Sequence, residues 1–282
     1  MKSRFEQINV FATHSLKGNP LAVVHCQEND YSTETMQALA RWTQLSETVF
    51  ITPATEANAD YKVRIFTPVE ELPFAGHPTL GSCHSWLNGR RQAVVHQQSA
   101  IGIVEIRQVD DQLFFEAPPL VVQRPFSSVE QQQLIASTGL LPDAIVATKV
   151  LSNGPVWHCV RVNSVEALLS IKPDYSAMGD LKLGLCSLTP EGDGLVVRAL
   201  MGLEATEDPV TGSLQAVLAQ WLIETGELPE HYLAQQGACV GAEGEVAIKK
   251  IDGKIFIGGR STTVISGDIT LTAIQAAKAG SN

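Results

Sequence analysis

Pro73-Phe74-Ala75-Gly76-His77-Pro78-Thr79-Leu80-Gly81 has an echo later in the chain, Asp208-Pro209-Val210-Thr211-Gly212-Ser213-Leu214-Gln215-Ala216, with Gly76 and Gly212 136 residues apart. Each stretch follows an alternating, strand-like segment, Tyr61-Lys62-Val63-Arg64-Ile65 in the first case and Leu195-Val196-Val197-Arg198-Ala199 in the second. Each leads into an apolar run that carries a Trp-Leu pair, and Trp86 and Trp221 stand 135 residues apart. Upstream, Gly18-Asn19-Pro20 and Asn153-Gly154-Pro155 place their prolines at the same separation. Three anchors in one order, with spacings that agree within one residue, predict a duplicated architecture.

The grammar of each half is the same. Extended segments rich in Val and Ile reach a glycine turn, and a helix follows. Leu214, Val217, Leu218, Trp221 and Leu222 fall at helical spacing, with Gly226 as the stop. Ala216 and Ala219 make the run apolar on more than one face, as expected of a helix threading a curled sheet. Thr79–Leu87 behaves likewise and ends before Asn88-Gly89. Hairpins are predicted around Asp110-Asp111 and around Asp252-Gly253, the second a strong two-residue turn signal. Peripheral helices are predicted over Thr33–Thr43, capped by Ser32 or Asp30, and over Val129–Thr138, capped by Ser127 or Ser128. Pro118-Pro119 is the expected crossing between the halves.

Composition excludes several function classes. The chain has 282 residues, 44% hydrophobic and 18% charged, which suits a globular protein with a large core. A net charge of −10 without a basic cluster argues against a nucleic-acid partner, and an anionic substrate must be captured by local dipoles. No apolar run approaches the ~20 residues of a membrane span. Met1-Lys2-Ser3-Arg4-Phe5-Glu6-Gln7 lacks a signal-peptide core, so a cytoplasmic location is expected. Cys26, Cys83, Cys159, Cys186 and Cys239 are never paired as C-x-x-C, which points to reduced thiols and no metal site.

The two turn-to-helix junctions are the first candidates for chemistry. A helix N-terminus carries unpaired N–H groups and the positive end of the macrodipole, so it binds carboxylates or phosphates. Glycine at 76 and 212 permits close backbone approach, although tight turns alone would also explain both. His77, Ser213 and Asp208 flank these glycines, and Asp208 could equally be a simple turn residue. Glu47 lies in Leu45-Ser46-Glu47-Thr48-Val49-Phe50-Ile51. On a period-two reading it shares a face with Leu45, Val49 and Ile51, where burial would raise its pKa toward a value useful for proton transfer. A shifted register would instead leave it solvated. Dinucleotide, Walker, H-E-x-x-H and G-x-S-x-G patterns are all absent from the sequence.

Arg64-Ile65-Phe66-Thr67-Pro68-Val69-Glu70-Glu71-Leu72-Pro73-Phe74-Ala75-Gly76-His77-Pro78 and Glu207-Asp208-Pro209-Val210-Thr211-Gly212-Ser213 resemble the phenazine-biosynthesis PhzF family. So do Gly18-Asn19-Pro20, Leu45-Ser46-Glu47-Thr48 and Asn153-Gly154-Pro155. The resemblance implies an α+β, diaminopimelate-epimerase-like fold: two pseudo-symmetric domains, each a curled mixed sheet around a central helix, with the site between them. The expected units are residues 1–118 plus 264–282, and 119–263. The implied activity is a cofactor-independent and metal-independent isomerase acting on a small carboxylic acid. Glu47 is implied as the proton shuttle, His77 and Asp208 as its catalytic companions, and Gly76, Gly212 and Ser213 as substrate-binding. A homodimer is also implied. Related epimerases carry one cysteine before each glycine, where this chain has Ala75 and Thr211, so a two-thiol mechanism is not expected; Cys83 lies too deep along its helix to substitute. Leu214-Gln215 and Met201–Glu207 depart from the family pattern at positions expected to be able to line the pocket, which leaves the substrate open. A silent carboxylate-binding protein and a Ser213 hydrolase remain as alternatives.

Overall fold

The structure is a computed structural model that describes residues 2–271 apart from Thr13, Ser15, Glu28 and Asn29. The first half runs β1 (Lys2–Val10), β2 (Asn19–His25), α1 (Thr33–Thr43), β3 (Glu47–Thr52), β4 (Tyr61–Phe66), β5 (Glu71–Leu72), α2 (Gly76–Leu87), β6 (Val94–Ser99), β7 (Gly102–Val109) and β8 (Gln112–Glu116). The second runs β9 (Val122–Arg124), α3 (Ser128–Thr138), β10 (Ile145–Ser152), β11 (Val156–Val162), α4 (Val165–Ser170), α5 (Tyr175–Met178), β12 (Lys182–Leu188), β13 (Leu195–Met201), β14 (Thr206–Asp208), α6 (Gly212–Glu224), β15 (His231–Gln236), β16 (Gly244–Ile251) and β17 (Lys254–Gly259). A last strand, β18 (Ser261–Thr270), pairs along the whole of β1. The chain therefore returns to the first half at Ser261. The part of the expected first unit that covers 272–282 lies outside the described residues.

The pairing scheme repeats from half to half. β1–β2 antiparallel, β2–β3 parallel, β3–β4 antiparallel and β4–β6 parallel match β10–β11, β11–β12, β12–β13 and β13–β15 in the same senses. The short strands β5 and β14 each turn back on the strand before them, and β9 covers β10 as β18 covers β1. Two closing hairpins, β7–β8 and β16–β17, then pair with each other antiparallel through β8 and β17, joining the halves at Phe115 and Ile257. The β16–β17 hairpin turns on two residues at positive φ, Asp252 at 52° and Gly253 at 78°, and the β7–β8 hairpin has one, Asp110 at 55°.

Each half wraps its sheet around one helix. Leu80, Cys83 and Leu87 of α2 pack on Ile8, Leu21 and Val49, while Leu214, Val217 and Leu218 of α6 sit in the same continuous cluster with Trp157, Val197 and Ile248. Burial of each large side chain contributes roughly 1.5–3 kcal/mol. α2 stops at Asn88, held left-handed at φ 48°, as the Asn-Gly pair suggested. The peripheral helices are capped by Ser32 and by Ser127, the latter in a full capping box with Glu130. No helix among the described residues is long and apolar enough to cross a membrane.

The placement of β3 corrects one local expectation. It is buried on both faces, not one: Val49 and Ile51 face the α2 core, and Phe50 lies in a separate cluster with Met36 and Leu39 of α1. Glu47, the first residue of the strand, sits where both coverings end, with its side chain 18% exposed.

Candidate active site

α2 and α6 meet at their N-termini. A Cβ added to Gly212 would lie 3.5 Å from both Gly76 Cα and His77 N. Neither helix is capped by a side chain: Ala75 has none to offer, and Thr211 turns its hydroxyl elsewhere. The first-turn N–H groups are thus left for a ligand, and two positive dipole ends converge on one spot. Gly76 has a second constraint behind it, since a Cβ there would meet the Phe115 ring at 2.4 Å.

His77, second in α2 and buried, links Glu47 to the strand beside it. Its Nδ1 is 2.9 Å from Glu47 Oε2 and its Nε2 is 3.1 Å from the Asn19 carbonyl oxygen. A carbonyl can only accept, so Nε2 carries a proton. One further proton then lies between Nδ1 and the Glu47 carboxyl. Burial pushes the Glu47 carboxyl upward, but the hydrogen bond and charge of His77, with help from Ser46, outweigh it and hold the group below the usual glutamate range. The expectation that burial would raise Glu47 is therefore corrected; the imidazole at its side reverses the sign.

The raised carboxyl is Asp208. Burial, and then the neighbouring charge of Glu47, push it up to about 6 against the opposing pull of Thr211, His77 and Asn19. Thr211 donates to Asp208 Oδ2 at 2.5 Å, and Asn19 Nδ2 donates to Oδ1 at 3.0 Å. Alternation along β14 places Asp208 toward the cleft and Glu207 on the opposite face, where it is paired with Arg198.

Glu47, His77, Asp208, Gly76 and Gly212 are thus brought together around Asn19. Ser213 lies in the first turn of α6, and its Oγ is 3.2 Å from Trp157 Nε1. An indole N–H can only donate, so this contact does not activate the hydroxyl as a nucleophile. Leu214 and Gln215 do not line the cleft: both are fully buried, Leu214 over Gly184 and Gln215 bonded to Gln236. Cys83 is fully buried in α2, and burial pushes its thiol up to about 12.

Sequence reasoning missed Asn19 as a site residue. It bonds Asp208 and Val210 O through Nδ2, accepts from Ser46 through Oδ1, and receives His77 on its carbonyl. Its position in the Gly18-Asn19-Pro20 anchor was the available signal, and there it served only as a marker of the repeat and of the family resemblance. Thr211 and Gln236 were missed as well. Among the described residues no three His, Cys, Asp or Glu side chains are grouped to hold a metal ion.

The chain and its fold have counterparts among known proteins. The profile described as phenazine biosynthesis-like protein matches residues 8–267. The trans-2,3-dihydro-3-hydroxyanthranilate isomerase of Pseudomonas aeruginosa is 33% identical over 236 residues, covering 80% of this chain and 82% of its own. A PhzF-family phenazine biosynthesis protein from Bacillus anthracis superposes with a TM-score of 0.82 over 96% of this chain and all of its own, at 21% identity. A hydroxyproline epimerase from Agrobacterium vitis shares the fold more distantly, with a TM-score of 0.60 at 14% identity over 95% of this chain and 92% of its own. The α+β architecture is the diaminopimelate-epimerase-like fold, and the chain belongs to the phenazine biosynthesis-like protein family.

Proposed function

We propose that this protein is an isomerase that moves a proton on a small carboxylic acid by general acid/base catalysis, without metal or cofactor. The observation that carries the reading is the pair of carboxyls at the meeting point of α2 and α6. Glu47 is held low by His77, and Asp208 is raised to about 6. Two titratable groups pushed apart in this way divide the roles of base and acid. Glu47 stays ionised and accepts a proton from an activated carbon, passing it to a second position on the same substrate. His77 shares that proton and steadies the carboxyl. Asp208, able to exchange its own proton near neutral pH, holds a polar group of the substrate. The N–H groups of Gly76, Gly212 and Ser213 receive the substrate carboxylate.

The substrate class comes from the Pseudomonas aeruginosa relative, named as acting on trans-2,3-dihydro-3-hydroxyanthranilate. A cyclic or amino-acid-like carboxylic acid fits a cleft with one anion site and two carboxyls. General acid/base catalysis supplies about 10²–10⁴-fold, and positioning must supply the rest. The test is solvent-deuterium incorporation across a panel of such acids, for the wild type and Glu47→Gln. Label in the wild type and none in the variant is expected; label retained by Glu47→Gln sinks the mechanism. A homodimer is the assembly we carry with this reading, checked by solution mass.

A further inference from the structure

The geometry points to Gln236 as a positioning residue for Asp208: it fixes the Thr211 hydroxyl as a donor to the Asp208 carboxyl, and so sets how readily that carboxyl takes a proton. Gln236 ends β15 and is 3% exposed. It does not face the cleft. Its Nε2 lies 3.0 Å from Asp208 O and 2.8 Å from Thr211 Oγ1, and its Oε1 lies 3.2 Å from Thr211 N and 2.9 Å from Gln215 Nε2.

The direction of every proton in this chain is dictated by the backbone. Asp208 O can only accept, so the amide atom facing it is nitrogen; Thr211 N can only donate, so the atom facing it is oxygen. With the Gln236 amide fixed, Thr211 Oγ1 receives a hydrogen from Nε2. Its own single hydrogen then has Asp208 Oδ2, 2.5 Å away, as its acceptor. Gln215 is held in the same sense. Its Oε1 is buried without a partner among the described residues, yet turning the amide over would set oxygen against oxygen at Gln236. The other Asp208 oxygen is treated alike: Asn19 Nδ2 is identified by its bond to Val210 O and donates to Oδ1. Both oxygens are therefore obliged acceptors, which favours the ionised form against burial and the charge of Glu47. The charged groups acting on Asp208 are Glu47 and His77, both from the first half.

This inference rests on the acid/base reading for its use, but its test needs no turnover. In the full chain labelled with ¹³Cγ-aspartate, and assigned with Asp208→Asn, the Asp208 carboxyl is titrated directly. Gln236→Met, of similar volume, frees the Thr211 hydroxyl to turn away, and Thr211→Val removes it. Each variant is expected to raise the Asp208 midpoint by about one pH unit, and the double variant no further than the larger single shift. An unchanged midpoint in folded Gln236→Met, or shifts that add in the double variant, overturns the proposal. Thr211→Val carries the test if Gln236→Met fails to fold: a midpoint unmoved there also overturns it. A protein that titrates as expected yet exchanges no deuterium would refute the isomerase reading and leave the positioning role standing.

Discussion

His77 Nδ1 stands 2.9 Å from Glu47 Oε2, and the carboxyl that burial alone would make a weak acid is thereby kept ionised. Removing the imidazole leaves burial unopposed. His77→Asn is expected to move the acid limb of the exchange-rate profile to higher pH and to lower the plateau by about 10²-fold or more. The sign follows from the causes: the depressed carboxyl gains stability from its partner above the ordinary glutamate range and loses it as pH falls. A profile whose acid limb stays in place in His77→Asn would show that Glu47 is not the group titrating.

Asp208 has the opposite sign. Its carboxyl rises from an ordinary 3.8 to about 6 in the folded chain. The folded state then binds the proton more tightly than the unfolded one, so the stabilising contribution is complete below about 4 and lost as pH rises through about 6. The shift corresponds to roughly 1–3 kcal/mol. Asp208→Asn turns an NH2 toward one of the two donors fixed on that carboxyl, which costs stability at every pH. Its unfolding midpoint relative to the wild type is nevertheless expected to move in the variant's favour from pH 4 to pH 8, and it should exchange no deuterium. A midpoint difference that does not change between pH 4 and pH 8 would contradict the raised value.

The repeat was legible because each half needs the same punctuation: a strand, a glycine where two backbones approach, and a helix apolar all round. Pro20 and Pro155, Trp86 and Trp221 kept their spacing since the same pairing scheme surrounds them. What sequence could not supply was the environment of each carboxyl. Glu47 was placed correctly at the head of a strand, yet His77, thirty positions away, reverses the effect of its burial. Gln236 carried a faint signal, a polar residue at the buried phase of an alternating strand. Nothing local tells such a residue from a satisfied core amide; only the fold brings it to Thr211.

The two junction glycines should respond differently to alanine. A Cβ at Gly212 meets Gly76 Cα and His77 N at 3.5 Å, ordinary contact, so Gly212→Ala should fold with near-native stability. The methyl would occupy the space between the helix ends. Apparent substrate affinity should fall about tenfold or more, equivalent to about 1.4 kcal/mol of lost N–H contact. A Cβ at Gly76 meets Phe115 at 2.4 Å, and overpacking of that kind costs typically 1–3 kcal/mol. Chemical denaturation and KM measured on both variants would separate the effects; unchanged KM in Gly212→Ala would place the carboxylate elsewhere.

The duplication also repeats an arginine–glutamate pair, and solvent decides its worth. Arg64 on β4 meets Glu71 on β5 at 2.6 and 2.7 Å, with the side chains 30% and 38% exposed. Arg198 on β13 meets Glu207 on β14 at 2.8 Å with both 3% exposed, and its Nη1 also donates to Leu168 O and Ile171 O. Breaking the exposed pair with Arg64→Met should cost about 1 kcal/mol or less, since water takes over the glutamate. Arg198→Met strands a buried carboxylate and two carbonyls, and is expected to cost about 3–5 kcal/mol. Because Glu207 precedes Asp208, the Arg198 variant should also disturb the Asp208 titration, while the Arg64 variant should not. Equal destabilisation by the two substitutions in urea titrations would mean that burial does not distinguish the copies, contrary to the geometry.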